Sequence, residues 1–301
     1  MRSQSGFFTI AAGDRTVRAV LRGRLKRERQ QSGLVALGDM VRFELIDLPE
    51  GDSGHIDAVV TEILPRSSAL SRRAPGPKGI WAQDVIVANI DQLVPVFAVR
   101  KPEPRLRMLD RFLSVAEIDE IDSVIVFNKI DLGVPESIAA AAARYRRIGY
   151  RVVLTSALEG TGVDEVREAL AGRVSAVVGP SGTGKSRLLN AVEPGLGLKV
   201  GSISEALSKG KHTTRVGELH VLSSGGMVAD TPGLREIGVW EVDPGELEWS
   251  FVEFRPYINR CKFYDCTHVH EPGCAVRQAV EEGEIAHERY DSYVRLLAEE
   301  E

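Results

Sequence analysis

The stretch Gly179-Pro180-Ser181-Gly182-Thr183-Gly184-Lys185-Ser186 has the form G-x-x-x-x-G-K-[ST], and its reading decides the fold. The apolar run Val174-Ser175-Ala176-Val177-Val178 precedes it and Arg187-Leu188-Leu189-Asn190-Ala191-Val192 follows, so the motif lies between an expected strand and an expected helix. That context separates a phosphate-binding loop from an ordinary glycine-rich turn. Its glycines let the backbone curl until several N–H groups point inward, where the positive end of the next helix also favours a polyanion. Lys185 would reach the outer phosphates, and the Ser186 hydroxyl would ligate Mg²⁺.

Upstream, Asn128-Lys129-Ile130-Asp131 follows the apolar run Val124-Ile125-Val126-Phe127 and matches N-K-x-D, the guanine-reading pattern of GTPases. A carboxylate at Asp131 can accept two parallel hydrogen bonds from guanine N1–H and the 2-amino group, a pair of donors adenine does not offer there. GTP is therefore favoured over ATP. Asn128 and Lys129 would brace the loop and cover the base. Thr155-Ser156-Ala157, after the expected strand Val152-Val153-Leu154, matches the loop whose Ser156 and Ala157 backbone contacts the guanine oxygen.

Downstream, Asp230-Thr231-Pro232-Gly233 follows Met227-Val228-Ala229 and matches D-x-x-G. Asp230 would hold the Mg²⁺ shell through water, and the Gly233 N–H would sense the γ-phosphate. Lys211-His212-Thr213-Thr214-Arg215 lies between the two phosphate motifs, where a switch threonine would complete the metal shell. Thr213 and Thr214 both qualify; Thr214 is taken as the ligand. Leu234 stands where many GTPases carry the glutamine that orients the attacking water, and leucine cannot hydrogen-bond to water. His212, able to donate or accept a proton near neutral pH, is the candidate to act in its place; a structural or RNA-contacting role is the alternative.

The guanine motifs occupy 128 to 157 and the phosphate motifs 179 to 233, the reverse of the ordinary GTPase order. Cutting such a domain between its two halves and rejoining the old termini gives this order and can leave the site intact. Around the motifs, apolar β-runs from Ile86 onward alternate with helical periodicity at about 105 to 119, 136 to 147 and 163 to 171, as in a mostly parallel sheet with helices on both faces.

Residues 1 to 67 differ. Phe7-Phe8-Thr9-Ile10, Val17 to Leu21, Met40 to Leu45 and Ile56 to Leu64 read as short strands of a small β-barrel. Between 15 and 29 lie Arg15, Arg18, Arg22, Arg24, Lys26, Arg27 and Arg29 against Glu28 alone, either an RNA-binding ribbon or a solvated face, with no stacking aromatics interleaved. Residues 66 to 79, rich in arginine, proline and glycine, read as a basic linker. The formal net charge of −5 over 301 residues makes any basic surface local. No apolar run approaches the roughly 18 residues a bilayer span needs, and no secretory segment opens the chain, so an intracellular, cytoplasmic protein without a membrane partner is expected.

All 3 cysteines lie between 261 and 274. Cys261, Cys266, His268 and Cys274 form C-x4-C-x-H-x5-C, a set suited to a closed tetrahedral Zn²⁺, with His270 the rival for the histidine position. In so small a segment the metal is expected to substitute for a core.

With these motifs in this order, the chain resembles the circularly permuted, small-ribosomal-subunit-dependent GTPases of the RsgA type over nearly its whole length. The resemblance rests on 128 to 131, 179 to 186, 211 to 214, Asp230 through Glu236, and Asp265-Cys266-Thr267-His268 through Pro272-Gly273-Cys274. It implies a multidomain α/β protein: an N-terminal OB-fold barrel over 1–67, a circularly permuted P-loop GTPase domain over 68–243, and a small α-helical zinc domain over 244–301. It also implies GTP hydrolysis to GDP stimulated by the 30S subunit, contact with 16S rRNA, action late in subunit maturation, and a monomer. The catalytic residues would be Lys185, His212 and Thr214. The rivals are another P-loop NTPase and an RNA-binding scaffold with a structural nucleotide site.

Overall fold

The computed structural model describes residues 2–4, 7–13, 15–23, 25, 35–46, 57–75, 81–198, 218–230 and 244–300, with side chains at all of these except 2–4, 72–75, 81–84, 230, 244, 299 and 300. Alternation of buried and outward residues along β2, β3 and β5 builds the first sheet. Strands β1 (Arg2–Gln4), β2 (Phe7–Ala12), β3 (Arg15–Leu21), β4 (Val41–Leu45) and β5 (Ala58–Ile63) lie in the order β1-β2-β3-β5-β4, with β3 and β5 parallel and the other pairs antiparallel. This is the strand order of an OB fold. Phe8, Ile10, Val17, Ala19, Leu21, Ala58 and Val60 fill its interior. On the outward face the Arg18 guanidinium lies 4.3 Å from the Phe7 ring centroid. The arginine ribbon therefore does have an aromatic partner, contributed by the neighbouring strand, where a reading along one strand finds none.

The segment read as a basic linker is not one. Strand β6 (Ala69–Pro75) pairs antiparallel with β7 (Trp81–Ala88) as a two-stranded ribbon, with Leu70 and Val87 buried in the main core. Ile86 to Ala88 thus belong to this ribbon and not to the parallel sheet. The barrel is tied to it from one side: Ala88 N–H donates to Leu37 O at 2.7 Å, and Arg66 makes a fork to the buried Asp39, Nε to Oδ1 at 2.7 Å and Nη2 to Oδ2 at 2.9 Å.

The central sheet has six strands, β8 (Gln92–Ala98), β9 (Asp122–Asn128), β10 (Arg151–Thr155), β11 (Val174–Val178), β12 (Glu218–Val221) and β13 (Met227–Asp230). Their order is β10-β9-β8-β11-β13-β12, all parallel except the edge strand β12, whose presence the sequence pattern did not signal. Continuous apolar runs such as Leu93 to Val99 follow from burial on both faces. On one face lie α1 (Leu106–Ile118) and α2 (Glu136–Arg147); on the other lie α3 (Val163–Leu170) and α4 (Lys185–Val192). Helix α1 turns Leu109, Phe112, Leu113 and Ala116 inward, spaced three and four residues apart as one apolar stripe requires. Guanine-half strands β8 to β10 and phosphate-half strands β11 to β13 meet at the β8·β11 pair.

Four further helices follow, α5 (Pro244–Ser250), α6 (Arg255–Ile258), α7 (Ala275–Glu281) and α8 (His287–Glu300). Phe251, Phe254, Val276, Ala279, Ile285, Tyr293, Leu296 and Leu297 join the same contiguous core as Leu109 and Phe112. A metal does not take the place of a core here. The segment is small, but it packs against α1 and shares the GTPase domain's apolar interior. No helix among the described residues is long and apolar enough to cross a membrane.

Candidate functional site

Among the described residues, the nucleotide motifs at 128 to 131, 155 to 157 and 179 to 186 converge at the carboxyl ends of the central strands. The loop after β11 curls because its glycines take backbone angles closed to other residues. Gly179 has φ +130° and Gly184 φ +92°; a Cβ would stand 2.3 Å from Val96 O at the first and 2.5 Å from Asn128 Nδ2 at the second. Side chains there would push the loop off the sheet or dislodge Asn128. Inside the loop Lys185, 9% exposed, donates from Nζ to Gly179 O at 2.7 Å and Pro180 O at 2.6 Å. Thr183 Oγ1 donates to Pro180 O at 3.1 Å. Ser181, Gly182 and Arg187 are exposed and Ser186 is half-buried in the first turn of α4.

Asn128, at the end of β9 and 1% exposed, makes three hydrogen bonds to two other segments. Its Nδ2 donates to Thr183 O at 3.0 Å, and its Oδ1 accepts from Thr155 Oγ1 at 3.0 Å and Ala157 N–H at 3.1 Å. One amide thus joins the phosphate loop to both guanine loops, using donor and acceptor together. Lys129, with φ +67°, reaches the same loop: Nζ donates to Gly182 O at 2.6 Å and to Lys101 O. Burial, with Arg187 nearby, lowers its pKa, and Asp131 opposes this. Asp131 Oδ1 accepts from Ser156 Oγ at 2.6 Å, which holds the carboxylate beside the Ser156-Ala157 backbone. Asp131 and Lys185 therefore stand on adjacent loops of one sheet edge although 54 positions separate them in the chain.

Strand β13 ends at Asp230 beside β11, at the same end of the sheet as Gly179. The Asp230 side chain, together with His212, Thr213, Thr214, Gly233 and Leu234, lies outside the described residues.

The second constellation lies in the C-terminal segment. The ligand atoms of Cys261, Cys266, His268 and Cys274 all lie within 4.8 Å of one another. His268 Nδ1 is 3.5 Å from Cys261 Sγ and 3.4 Å from Cys274 Sγ, and these two sulfurs are 3.9 Å apart. Around a metal with sulfur bonds of about 2.3 Å, a tetrahedron places its sulfurs about 3.8 Å apart, so the residues fit a closed site. Burial pushes the Cys266 thiol up to about 12, so three thiolates can share this space only around a cation. His270 is exposed and outside the cluster, and His268 is the histidine grouped with the three cysteines.

One residue the sequence did not reveal orients that histidine. Glu248 of α5 approaches His268 Nε2 at 2.7 Å, leaving Nδ1 for the sulfurs. A carboxylate on the far nitrogen of a ligating imidazole fixes its tautomer and raises its basicity. Thirteen positions, with helix α6 among them, separate Glu248 from the nearest cysteine, so no spacing rule points to it.

The sequence signature of RsgA GTPase matches residues 63–240. The chain belongs to the RsgA GTPase family. Its crystallographic relatives include YjeQ from Thermotoga maritima, 32% identical with a TM-score of 0.76 over 99% of this chain and 95% of that one. YloQ, described as a circularly permuted GTPase, is 30% identical with a TM-score of 0.72 over 99% of this chain and 92% of the other. Among curated sequences, the small ribosomal subunit biogenesis GTPase RsgA of Gemmatimonas aurantiaca is 46% identical over 93% of this chain and 89% of its own length. The protein of the same name from Moorella thermoacetica is 40% identical over 99% and 95%. As a member of this family the chain is a GTP-hydrolysing enzyme, and its reversed motif order is the circular permutation of that fold.

Proposed function

We propose that this GTPase acts on the small ribosomal subunit late in its maturation, as a cytoplasmic monomer whose turnover the 30S subunit stimulates. The observation that carries the nucleotide part is the Asn128 bridge from Thr183 to Thr155 and Ala157, which assembles one guanine and phosphate site from a permuted chain. The ribosomal part is supported by the names of the relatives. In this reading Asp131, held by Ser156, reads the guanine edge, with Asn128, Lys129, Ser156 and Ala157 framing the base. The backbone of Gly179 to Ser186 and Arg187 surrounds the phosphates. Lys185 exchanges the Gly179 and Pro180 carbonyls for phosphate oxygens, a swap that leaves its buried ammonium satisfied throughout.

Ser186 and Thr214 would hold Mg²⁺, with Asp230 acting through water; the ion, when bound, would neutralise charge on the phosphates. Hydrolysis breaks the bond from the γ-phosphorus to the bridging oxygen as water attacks in line. His212 orients that water, Leu234 being unable to, and Gly233 N–H reports the γ-phosphate. The ion in the cysteine cluster is zinc, which suits three thiolates and an imidazole with no open position, and its role is structural. A single zinc ion per chain is expected by elemental analysis, and Cys274→Ser should lose the ion together with the fold of residues 255 to 281, read by hydrogen exchange; a metal-free protein with unchanged exchange there would contradict the assignment.

The subunit-dependent part is tested by multiple-turnover GTP hydrolysis with and without purified 30S subunits. Stimulation of about tenfold or more is expected if the subunit supplies the ordering that Leu234 cannot. Equal rates with and without subunits would leave the scaffold reading in its place.

A further inference from the structure

The lip of the nucleotide site carries a basic strip that none of the motifs includes. Between β8 and α1 the chain runs Arg100-Lys101-Pro102-Glu103-Pro104-Arg105, and α1 continues with Arg107 and Arg111. Arg100, Lys101, Arg105 and Arg107 are exposed. The side chains of Arg100, Lys101 and Arg105 form no ion pair among the described residues. Of the two acids in this stretch, Asp110 is buried and already bonded to Arg289, 2.6 Å from its Nη1. Three exposed cations, Arg100, Lys101 and Arg105, thus stand in a stretch whose one exposed acid is Glu103, in a chain whose net charge is −5. The first turn of α1 contains no acidic residue and its start has no side-chain cap, so the helix end adds to the positive field.

Position makes this strip more than a solvated edge. Lys129 Nζ donates to the Lys101 carbonyl and to Gly182 O, and Pro102 Cδ lies 3.7 Å from where a Cβ on Gly182 would be. Val99 N–H, bonded to Asn128 O at 2.8 Å, fixes the start of the loop. The cations are therefore mounted on a segment packed against the tip of the phosphate loop and against N-K-x-D. A polyanion gripping them would sit at the mouth of the nucleotide site.

The geometry points to residues 100 to 107 as a docking strip for the phosphodiester backbone of the RNA partner, placed at the rim of the nucleotide pocket. This rests on the subunit-dependent reading above. RNA phosphates suit the strip because backbone recognition needs clustered, solvent-facing cations and no base-reading side chains, which is what the loop offers. Lys101 also supplies the carbonyl that holds Lys129, so a test leaves it in place.

The double variant Arg100→Gln/Arg105→Gln removes two charges without touching any hydrogen bond of the nucleotide loops. GTP affinity and hydrolysis without subunits should match the unsubstituted protein. The 30S concentration giving half-maximal stimulation should rise about tenfold, and the slope of log affinity against log salt should fall by about 1.5, as loss of two phosphate contacts implies. Binding to protein-free 16S rRNA should weaken in parallel. If the unsubstituted protein responds to 30S and the variant responds equally, with the same salt slope, the strip is not a docking surface and the function stands without it. If 30S binding weakens but binding to protein-free rRNA does not, the strip meets a protein and RNA docking is overturned. If the unsubstituted protein neither binds nor responds to 30S, the functional reading fails first and the strip's role with it.

Discussion

Asp131→Asn should weaken GTP binding by about two orders of magnitude, since two charge-assisted hydrogen bonds to the guanine edge, together about 3 kcal/mol, are lost or reversed in polarity. The amide keeps one acceptor for Ser156 Oγ, now 2.6 Å from the carboxylate, so the loop itself should survive. What changes is the pattern presented to the base. A carboxylate accepts twice, whereas an amide accepts once and donates once. Guanine brings N1–H and the 2-amino group and meets an opposed donor; xanthine, with N1–H beside a 2-oxo group, meets a matching pair. Xanthosine triphosphate should therefore bind the variant more tightly than GTP does, measured by competition against a fluorescent nucleotide. Unchanged GTP affinity, or ATP competing as well as GTP in the unsubstituted protein, would remove Asp131 from base recognition and return the chain to the wider class of P-loop NTPases.

Residues whose chemistry demands fixed spacing along the chain were legible before any fold was known. A phosphate loop needs its glycines, Lys185 and Ser186 at set positions between a strand and a helix, and four metal ligands within 14 residues announce themselves by density. The parallel sheet was legible for a related reason, because strands such as Val174 to Val178 are buried on both faces and read as unbroken apolar runs. Contacts made across the chain were not legible. Glu248 reaches His268 from another helix, and Phe7 meets Arg18 only once β2 and β3 are in register. The 69–88 ribbon was hidden by its own composition: Pro75, Gly76, Pro77 and four basic residues between 66 and 78 look like a linker, yet Pro75 sits at the end of a strand whose ladder it does not interrupt. The exposed cations at 100 to 107 surround prolines and form no unbroken run, so the sequence alone does not mark them as a ribbon.

Arg289→Ala should be strongly destabilising, at about 3 to 5 kcal/mol. The guanidinium is 1% exposed and lies between two carboxylates from different parts of the chain. Its Nη1 donates to Asp110 Oδ1 of α1 at 2.6 Å, and its Nε and Nη2 to Glu253 at 2.6 and 3.1 Å. Tyr145 Oη of α2 donates to the same Asp110 oxygen at 2.6 Å, and Phe251 lies 4.3 Å from the guanidinium carbon. Burial disfavours the charge, but Asp110 and Glu253 outweigh it and hold the arginine's pKa well above its ordinary value. Removing the cation strands two carboxylates with almost no access to water, which is where the cost arises. The network is also what fastens α8 to the guanine-half helices, aided by the pair Arg144 to Glu288, while Arg255 to Glu117 ties α6 to α1. The loss should therefore appear first as faster hydrogen exchange in α7 and α8, before the central strands respond. Replacing the group as a whole, Arg289→Met with Asp110→Leu, Glu253→Leu and Tyr145→Phe, should recover most of the stability, because no buried charge or hydroxyl is then left without a partner. If Arg289→Ala exchanged and melted like the unsubstituted protein, the shared apolar core around Phe251, Phe254 and Tyr293 would be holding the C-terminal segment without help from its ions.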